Sequence, residues 1–368
     1  MLDNIIMIFF AGVFLIGLGL TFIDLLKRKK SNFNPEISII IPTYKNEKII
    51  SKTISSLFSI YPKEKIELIV INDCSPDNTK EVLKKLQKKY DFLLINNEKN
   101  LGKVKSVNKA IKKTKKDFIM ILDSDSILNK KSLREVLDRI SQKNVAAVSC
   151  RYRVLDNGVI PKMVNLEYGM LGMVNGGYNL FTAISIWGGC SLYKRKPLFD
   201  IGLFKENMIV EDMDSALNLI EKGWKVQQVF SPMDTEVPKD LKGWYKQKIR
   251  WASGGMQCFL KHPKVFLIHP LTIFYYFAYG LFGVIMIYYL LQGSKIGVVN
   301  FFQMTLFFAL LSSIYLFINL KSIKEIWKII YVPFFSIIYY PIFIAVSGLG
   351  FAIGVKKYFQ LKKGGRGW

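Results

Sequence analysis

Hydrophobic residues follow two contrasting patterns along the chain. Four stretches, Ile5–Ile23, Val265–Leu291, Val298–Leu320 and Ile329–Val355, are nearly free of charge. Each is long enough to cross a hydrocarbon core of ~30 Å as a helix rising ~1.5 Å per residue. Between the first and the second, from Pro35 to Lys261, apolar residues come in short runs separated by polar segments, as in a soluble domain.

In that middle region, β-branched runs alternate with helical periods. Ile37–Thr43 is an almost unbroken apolar run with Pro42 near its end, which predicts a buried parallel strand. The pattern then predicts helices over Glu47–Tyr61, Pro76–Tyr90 and Lys103–Lys113, and strands over Glu67–Asn72, Phe92–Ile95 and Asp117–Leu122. Ser75 ahead of Pro76 reads as an N-cap with proline at the first helical position. Strict alternation of strand and helix predicts an α/β fold with a doubly wound parallel sheet.

Beyond Cys150 the expected elements are a strand Arg151–Leu155, a helix Met163–Asn175, and a glycine-containing turn and strand over Ile186–Tyr193. A helix Glu211–Lys222 with Leu217 and Ile220 inward and a strand Lys225–Phe230 follow. Trp244–Phe259 reads as an amphipathic helix whose Lys, Arg and Trp suit a membrane interface.

Charge orients this arrangement. The first apolar stretch has no basic residue before it and no small-residue cleavage site, and Lys27-Arg28-Lys29-Lys30 follows it. It therefore reads as an anchor that leaves the next domain in the cytoplasm. The expected organisation is a multi-pass cell-membrane protein: an anchor over 1–30, a soluble domain over 35–240, an interface helix over 241–262, membrane segments over 265–355 and a basic tail over 356–368. A full fourth crossing would put that tail, with five basic residues and no acidic one, outside. Pro333 and Pro341 allow the segment to break and re-enter instead, which keeps the tail inside.

The formal net charge of +24 invites a nucleic-acid reading. The lysine runs Lys84–Lys89 and Lys112–Lys116 lie on faces that look solvated, and no base-reading module accompanies them, so no nucleic-acid partner is expected. A basic surface beside an anionic bilayer, handling anionic nucleotides, accounts for the charge. Cys74, Cys150, Cys190 and Cys258 are irregularly spaced and read as reduced thiols.

Candidate chemistry gathers at the strand ends, where open α/β sheets bind ligands. There lie Thr43-Tyr44-Lys45-Asn46-Glu47, Asn72-Asp73 and Asp123-Ser124-Asp125. An aspartate after a strand is also ordinary turn chemistry, but three such ends together argue for a site. Two carboxylates two residues apart suit Mg²⁺ or Mn²⁺ bridging a substrate diphosphate, and His262 and His269 alone are too few for a histidine-based metal site. Glu211-Asp212 opens a helix, where the N-terminus would keep Asp212 ionised as a proton acceptor, or where Asp212 could simply cap. Gln247, Arg250 and Trp251 fall at i, i+3 and i+4 and share one helical face. That face offers an amide, a guanidinium for phosphate and an indole for a sugar ring, or equally an interfacial snorkelling face.

In this order, Pro42-Thr43-Tyr44-Lys45-Asn46-Glu47, Asp73, D-x-D, E-D and Q-x-x-R-W resemble glycosyltransferase family 2. They look most like its membrane-integrated branch of cellulose, chitin, hyaluronan and poly-N-acetylglucosamine synthases. The resemblance covers about residues 35–260. It implies a GT-A (Rossmann-like) catalytic domain, a UDP-sugar donor, a divalent cation and inversion to a β-linkage. Thr43, Tyr44, Glu47 and Asp73 would hold the uridine, with Lys103 near the base or diphosphate. Asp123 would contact the nucleotide and the metal, and Asp125 the metal. Gly188, Gly189, Cys190 and Glu211 would lie on the acceptor side, with Asp212 as general base. Gln247, Arg250 and Trp251 would close over the diphosphate and terminal sugar.

The expected activity is therefore processive synthesis of a β-polysaccharide. The small membrane part leaves open the addition of one sugar to a lipid-linked or short glycan acceptor. A catalytically inactive membrane scaffold is the third reading, against which intact Asp125, Asp212 and Arg250 argue.

Overall fold

The computed structural model describes residues 19–268 and 329–362, with isolated positions 12, 15, 16, 299, 306, 309, 310, 313 and 314. The expected spans Val298–Leu320 and most of Ile5–Ile23 and Val265–Leu291 lie outside the described residues. A helix α1 covers 19–26. There follow β1 (Ile37–Thr43), α2 (Ile50–Ile60), β2 (Ile66–Asn72), α3 (Thr79–Gln87), β3 (Leu93–Asn96), α4 (Lys103–Ile111) and β4 (Phe118–Leu122). Next come β5 (Ser126–Ile127), α5 (Lys130–Ile140), β6 (Val145–Val154), α6 (Val159–Asn175), β7 (Cys190–Lys194) and α7 (Arg195–Asp200). Then α8 (Glu211–Glu221), β8 (Lys225–Thr235), α9 (Leu241–Lys261) and α10 (Pro263–Ile268) complete the part before the second gap.

The strands form one sheet in the order β3-β2-β1-β4-β7-β6-β8-β5. The expected parallel arrangement holds for β3-β2-β1-β4, with Ile37 opposite both Ile66 and Phe118. It fails beyond β4, because β7 runs antiparallel to both β4 and β6, and β8 pairs parallel with β6. The reason lies in the chain path. Cys190, the first residue of β7, pairs with Leu122, the last of β4, so the loop before β7 arrives at the carboxyl edge and feeds the strand in backwards. A mixed sheet is the result. Period-two alternation splits the core between the two faces: Ile39, Ile41, Leu57 and Val136 pack on one side, Ile40, Ile71, Val107 and Ile119 on the other.

Local chemistry shifts two boundaries. Ser75 does not cap: its Oγ accepts from Lys45 N, its N–H donates to Asn72 Oδ1 at 3.2 Å, and α3 begins at Thr79. At α9 the start is Leu241, because Asp240 Oδ1 accepts the Gly243 N–H at 2.8 Å as an N-cap.

Helix α5 buries Glu135, Asp138 and Arg139. Their partners come from the N-terminal segment: Arg28 Nη1 lies 2.8 Å from Glu135 Oε1, Arg139 pairs with Asp24, and the Ser31 N–H donates to Asp138 Oδ1 at 3.0 Å. Removing one partner of such a buried pair costs about 3–5 kcal/mol, because it strands the other charge.

The C-terminal part is helical from α11 (Tyr331–Phe334) through a π-helical segment Phe335–Tyr339 into α12 (Tyr340–Lys362). Among the described residues the helix is continuous from Tyr331 to Lys362, so the expected break at Pro333 or Pro341 is not seen. Pro333 sits in the first turn, where no intrahelical donor is required, and the widened π segment precedes Pro341, which lacks an N–H. Residues Tyr331–Gln360 form a helix long and apolar enough to cross a membrane. Part of the expected basic tail belongs to this helix. Helix α12 lies directly on α9: a Cβ on Gly354 would stand 2.5 Å from the Ser253 carbonyl oxygen, so glycine permits the contact.

Candidate active site

Three strand ends supply the first wall. Asp73, just past β2, accepts from Asn97 Nδ2 and Leu101 N through Oδ1, each at 2.8 Å, and from Gly102 N through Oδ2 at 2.8 Å. Burial alone would raise its pKa, but these donors hold it below the usual carboxylate range. The carboxylate thereby fixes Gly102, which adopts φ +84° at the start of α4, and with it Lys103, the first residue of that helix. Glu47 is also engaged by backbone, its Oε2 accepting Asn78 N at 2.9 Å. Thr43 Oγ1 is buried without a hydrogen-bond partner, and the Tyr44 ring is open to solvent.

Lys103 Nζ lies 2.7 Å from Asp123 Oδ1 and 3.6 Å from Glu211 Oε1. Burial works to depress this ammonium, and the Asp123, Glu211 and Asp212 carboxylates overcome it and raise its pKa. Asp125 has less support. Burial, then Asp123 and Glu236, push its carboxyl up to about 7 against Lys103, and its hydrogen bond from Ser126 Oγ is long at 3.4 Å. Asp212 is similar: burial and Glu211 raise it to about 6, opposed by Lys103, the Met213 N–H and Arg250. The expectation that the helix N-terminus holds Asp212 low is therefore corrected, since withdrawal from water and a like-charged neighbour outweigh the N–H groups. Nor does it cap, because Val210 occupies the N-cap of α8.

The second wall is the loop before β7. A Cβ on Gly188 would come within 2.6 Å of Asp212 Oδ2, so only glycine lets the main chain approach the carboxylate this closely. The Gly189 carbonyl accepts from Asp123 N at 2.9 Å, and its N–H donates to Tyr152 Oη at 2.6 Å. Cys190 departs from expectation. It is the first residue of β7 and its side chain lies in the apolar core, hydrogen-bonded with Cys150 rather than facing the cavity.

Helix α9 closes the site. Gln247, Arg250 and Trp251 border the same cavity of about 380 Å³ as Lys103, Asp123, Asp125, Glu211, Asp212, Gly188 and Gly189, within the size range of small-molecule sites. Thr43, Tyr44, Glu47, Asp73 and Cys190 do not line it. Residues that the sequence did not single out complete it. Tyr152 and Trp187 have ring centroids 4.8 Å apart, and Tyr168 lies 5.5 Å from Tyr152 and 6.0 Å from Trp251. Trp187 adjoins Gly188-Gly189 and was detectable there, whereas Tyr152 and Tyr168 carry no local signal. The cavity continues past Trp251 to Phe343, Ser347 and Phe351, one face of α12.

As donors for a cation, Asp123 and Asp125 offer hard oxygens, and the poorly supported Asp125 carboxylate is a group that a divalent ion would stabilise. Among the described residues no three His, Cys, Asp or Glu side chains are grouped to hold an ion by themselves, so a diphosphate would supply the remaining oxygens.

Comparison with known proteins agrees with this geometry. Residues 38–202 match the glycosyl transferase family 2 description. Poly-beta-1,6-N-acetyl-D-glucosamine synthase of Staphylococcus aureus (strain COL) is 28% identical over 244 residues, which are 63% of this chain and 58% of that protein. The Staphylococcus epidermidis protein of the same name is 29% identical over 237 residues, 61% of this chain and 56% of that one. The chain thus spans less than two thirds of the length of these curated relatives. A mannosyltransferase from Pyrobaculum calidifontis, solved with GDP-Man and Mn²⁺, superposes with a TM-score of 0.63 at 18% identity, covering 95% of this chain and 99% of that one. That likeness concerns the fold, a mixed-sheet, GT-A-like α/β arrangement. The matched residues 38–202 carry the strand-end carboxylates and the glycine loop, so the likeness to glycosyl transferase family 2 falls on the site itself.

Proposed function

We propose that the chain is a membrane-bound inverting glycosyltransferase that takes a hexosamine from a UDP-sugar and extends a β-linked polysaccharide on the cytoplasmic side of the cell membrane. The observation that carries this reading is one cavity bordered by the D-x-D, the E-D, the glycine loop and Q-x-x-R-W, running on along α12. The names of the staphylococcal relatives support the polymer and the sugar class. The apolar helix Tyr331–Gln360 supports the membrane setting.

In this reading Asp212 accepts the proton of the acceptor hydroxyl. The hydroxyl oxygen bonds to the anomeric carbon from the face opposite the leaving group, the anomeric carbon–oxygen bond to the diphosphate breaks, and UDP departs with the electron pair. A base with a pKa near the working pH suits proton abstraction, and Asp212 at about 6 meets that requirement. Lys103 and Arg250 face the charge that develops on the departing diphosphate. Asp123 and Asp125 would hold Mg²⁺ or Mn²⁺, which would neutralise diphosphate charge. Trp251 with Tyr168 and Trp187 would stack the terminal sugar of the acceptor. Thr43 and Tyr44 would face the base, with Asp73 acting through the loop that carries Lys103.

Full-length protein incubated with radiolabelled UDP-N-acetylglucosamine is expected to give products of many sugars. Products carrying one added sugar would favour transfer to a lipid-linked or short glycan acceptor, a reading to which the apolar Phe343 and Phe351 lining also lends itself. Absence of any transfer would support the scaffold.

A further inference from the structure

Lys248 lies inside the Gln247–Trp251 motif, yet its side chain is 1% exposed, as is that of Glu167, whose Oε1 stands 2.6 Å from Lys248 Nζ. Glu167 Oε2 accepts from the Tyr339 hydroxyl, and Tyr339 Oη accepts from Trp244 Nε1 at 2.8 Å. The ammonium also faces three rings, with Nζ 4.6 Å from the centroid of Trp251, 5.1 Å from Tyr168 and 5.6 Å from Phe343. Three elements meet at this buried charge: α6 through Glu167 and Tyr168, α9 through Trp244, Lys248 and Trp251, and the C-terminal helix through Tyr339 and Phe343. Both members of the ion pair border the cavity.

A buried ion pair adds little stability over apolar residues of the same size, so this one calls for another role. We propose that Lys248 and Glu167, latched by Tyr339, are positioning residues. They hold the ring faces of Trp251 and Tyr168 as the platform for the acceptor's terminal sugar and tie that platform to the C-terminal membrane helix. The ammonium attracts both ring faces, while the carboxylate and the tyrosine hydroxyl stop it from swinging toward water. The inference rests on the proposed acceptor role of Trp251. It makes acceptor binding, not donor binding, depend on a residue of the membrane helix.

The test uses full-length protein, UDP-N-acetylglucosamine as donor and a short β-1,6-linked N-acetylglucosamine oligosaccharide as acceptor. Lys248→Met combined with Glu167→Gln removes both charges and leaves no unpaired one buried. This double variant is expected to raise the acceptor KM about tenfold while the donor KM stays within about twofold. Tyr339→Phe, which deletes one hydroxyl, is expected to raise the acceptor KM about threefold. An unchanged acceptor KM in both would overturn the proposal, as would donor and acceptor KM rising together, the mark of a general structural role. Trp251→Ala separates the two levels. If it leaves the acceptor KM unchanged, or if the wild type turns over no UDP-N-acetylglucosamine, the functional reading fails and takes the inference with it. If Trp251→Ala raises the acceptor KM and the other variants do not, the inference alone fails.

Discussion

Asp73 and Asp212 both stand near the carboxyl edge of one sheet, in opposite surroundings. Asp73 lies in the half built from β1 to β4, where three N–H donors occupy its oxygens and keep it ionised. Asp212 lies in the half built around β6 to β8 and α9, where burial and a neighbouring carboxylate raise it and, among the described residues, its carboxylate accepts only from the adjacent Met213 N–H. Asp125 shares the second condition. A carboxylate surrounded by donors is spent on holding backbone in place. One left short of donors stays available to a proton or a cation. Asp73 thus serves the frame, whereas Asp125 and Asp212 are where chemistry is stored.

The sharpest way to break that contrast is to neutralise one carboxylate of each kind. Asp212→Asn should lower transfer by about 10²–10⁴-fold while UDP still binds, measured as UDP release against calorimetric UDP affinity. Retained turnover would remove Asp212 as the base. Chelation tests Asp125 next. Excess EDTA should abolish transfer, with Mg²⁺ or Mn²⁺ restoring it, and full activity in EDTA would contradict the cation site. Asp73→Asn belongs to the other class. It should cost about 1–3 kcal/mol of stability by leaving N–H groups of the Leu101–Gly102 loop without an anionic acceptor, read as a lowered midpoint in chemical denaturation. Its effect on kcat should be smaller than that of Asp212→Asn, and the reverse order would dissolve the comparison.

Acidity sharpens it further. Asp212 must be ionised to accept a proton, so a carboxyl raised to about 6 is increasingly protonated as the pH falls. Transfer should therefore decline on going below about pH 6 and level off above it, whereas an acid limb at the ordinary aspartate value of about 4 would show that Asp212 is not withdrawn from water. The smallest effect is expected at Cys190. Cys190→Ala should leave the acceptor KM within about twofold, because this side chain fills core beside Cys150 rather than the cavity.

Legibility of the fold follows the same divide. β1 matches its sequence boundaries, and β2 to β4 match theirs within a residue: β1, β2 and β4 are mostly buried and read as nearly unbroken apolar runs, and the half-exposed edge strand β3 still carries the short apolar run Leu93–Ile95. Helix α5 was not legible, since the residues it buries include Glu135, Asp138 and Arg139, whose partners lie about a hundred residues earlier. β6 starts at Val145 where a strand was expected only from Arg151, and the direction of β7 is a property of the returning loop that no period encodes. At the site, the D-x-D, E-D and Q-x-x-R-W residues of the ordered motifs share the cavity, whereas Thr43, Tyr44, Glu47 and Asp73 do not. The motifs did not reveal that Glu47 and Asp73 are occupied by backbone, that Cys190 faces inward, or that Lys248, the unassigned letter within Q-x-x-R-W, is charged and buried.

The ion pairs between the N-terminal segment and α5 also govern geometry at a larger scale. Arg28 leaves the first helix already bound to Glu135, and Asp24 is enclosed with Arg139 and Asn179. A domain joined to a preceding helix by a solvated linker would tilt and swivel with each collision. Here the joint is welded, so the height and bearing of the cavity above the first helix are constants of the protein. Lengthening the stretch between Arg28 and Ile37 would then misalign two rigid bodies rather than slacken a tether.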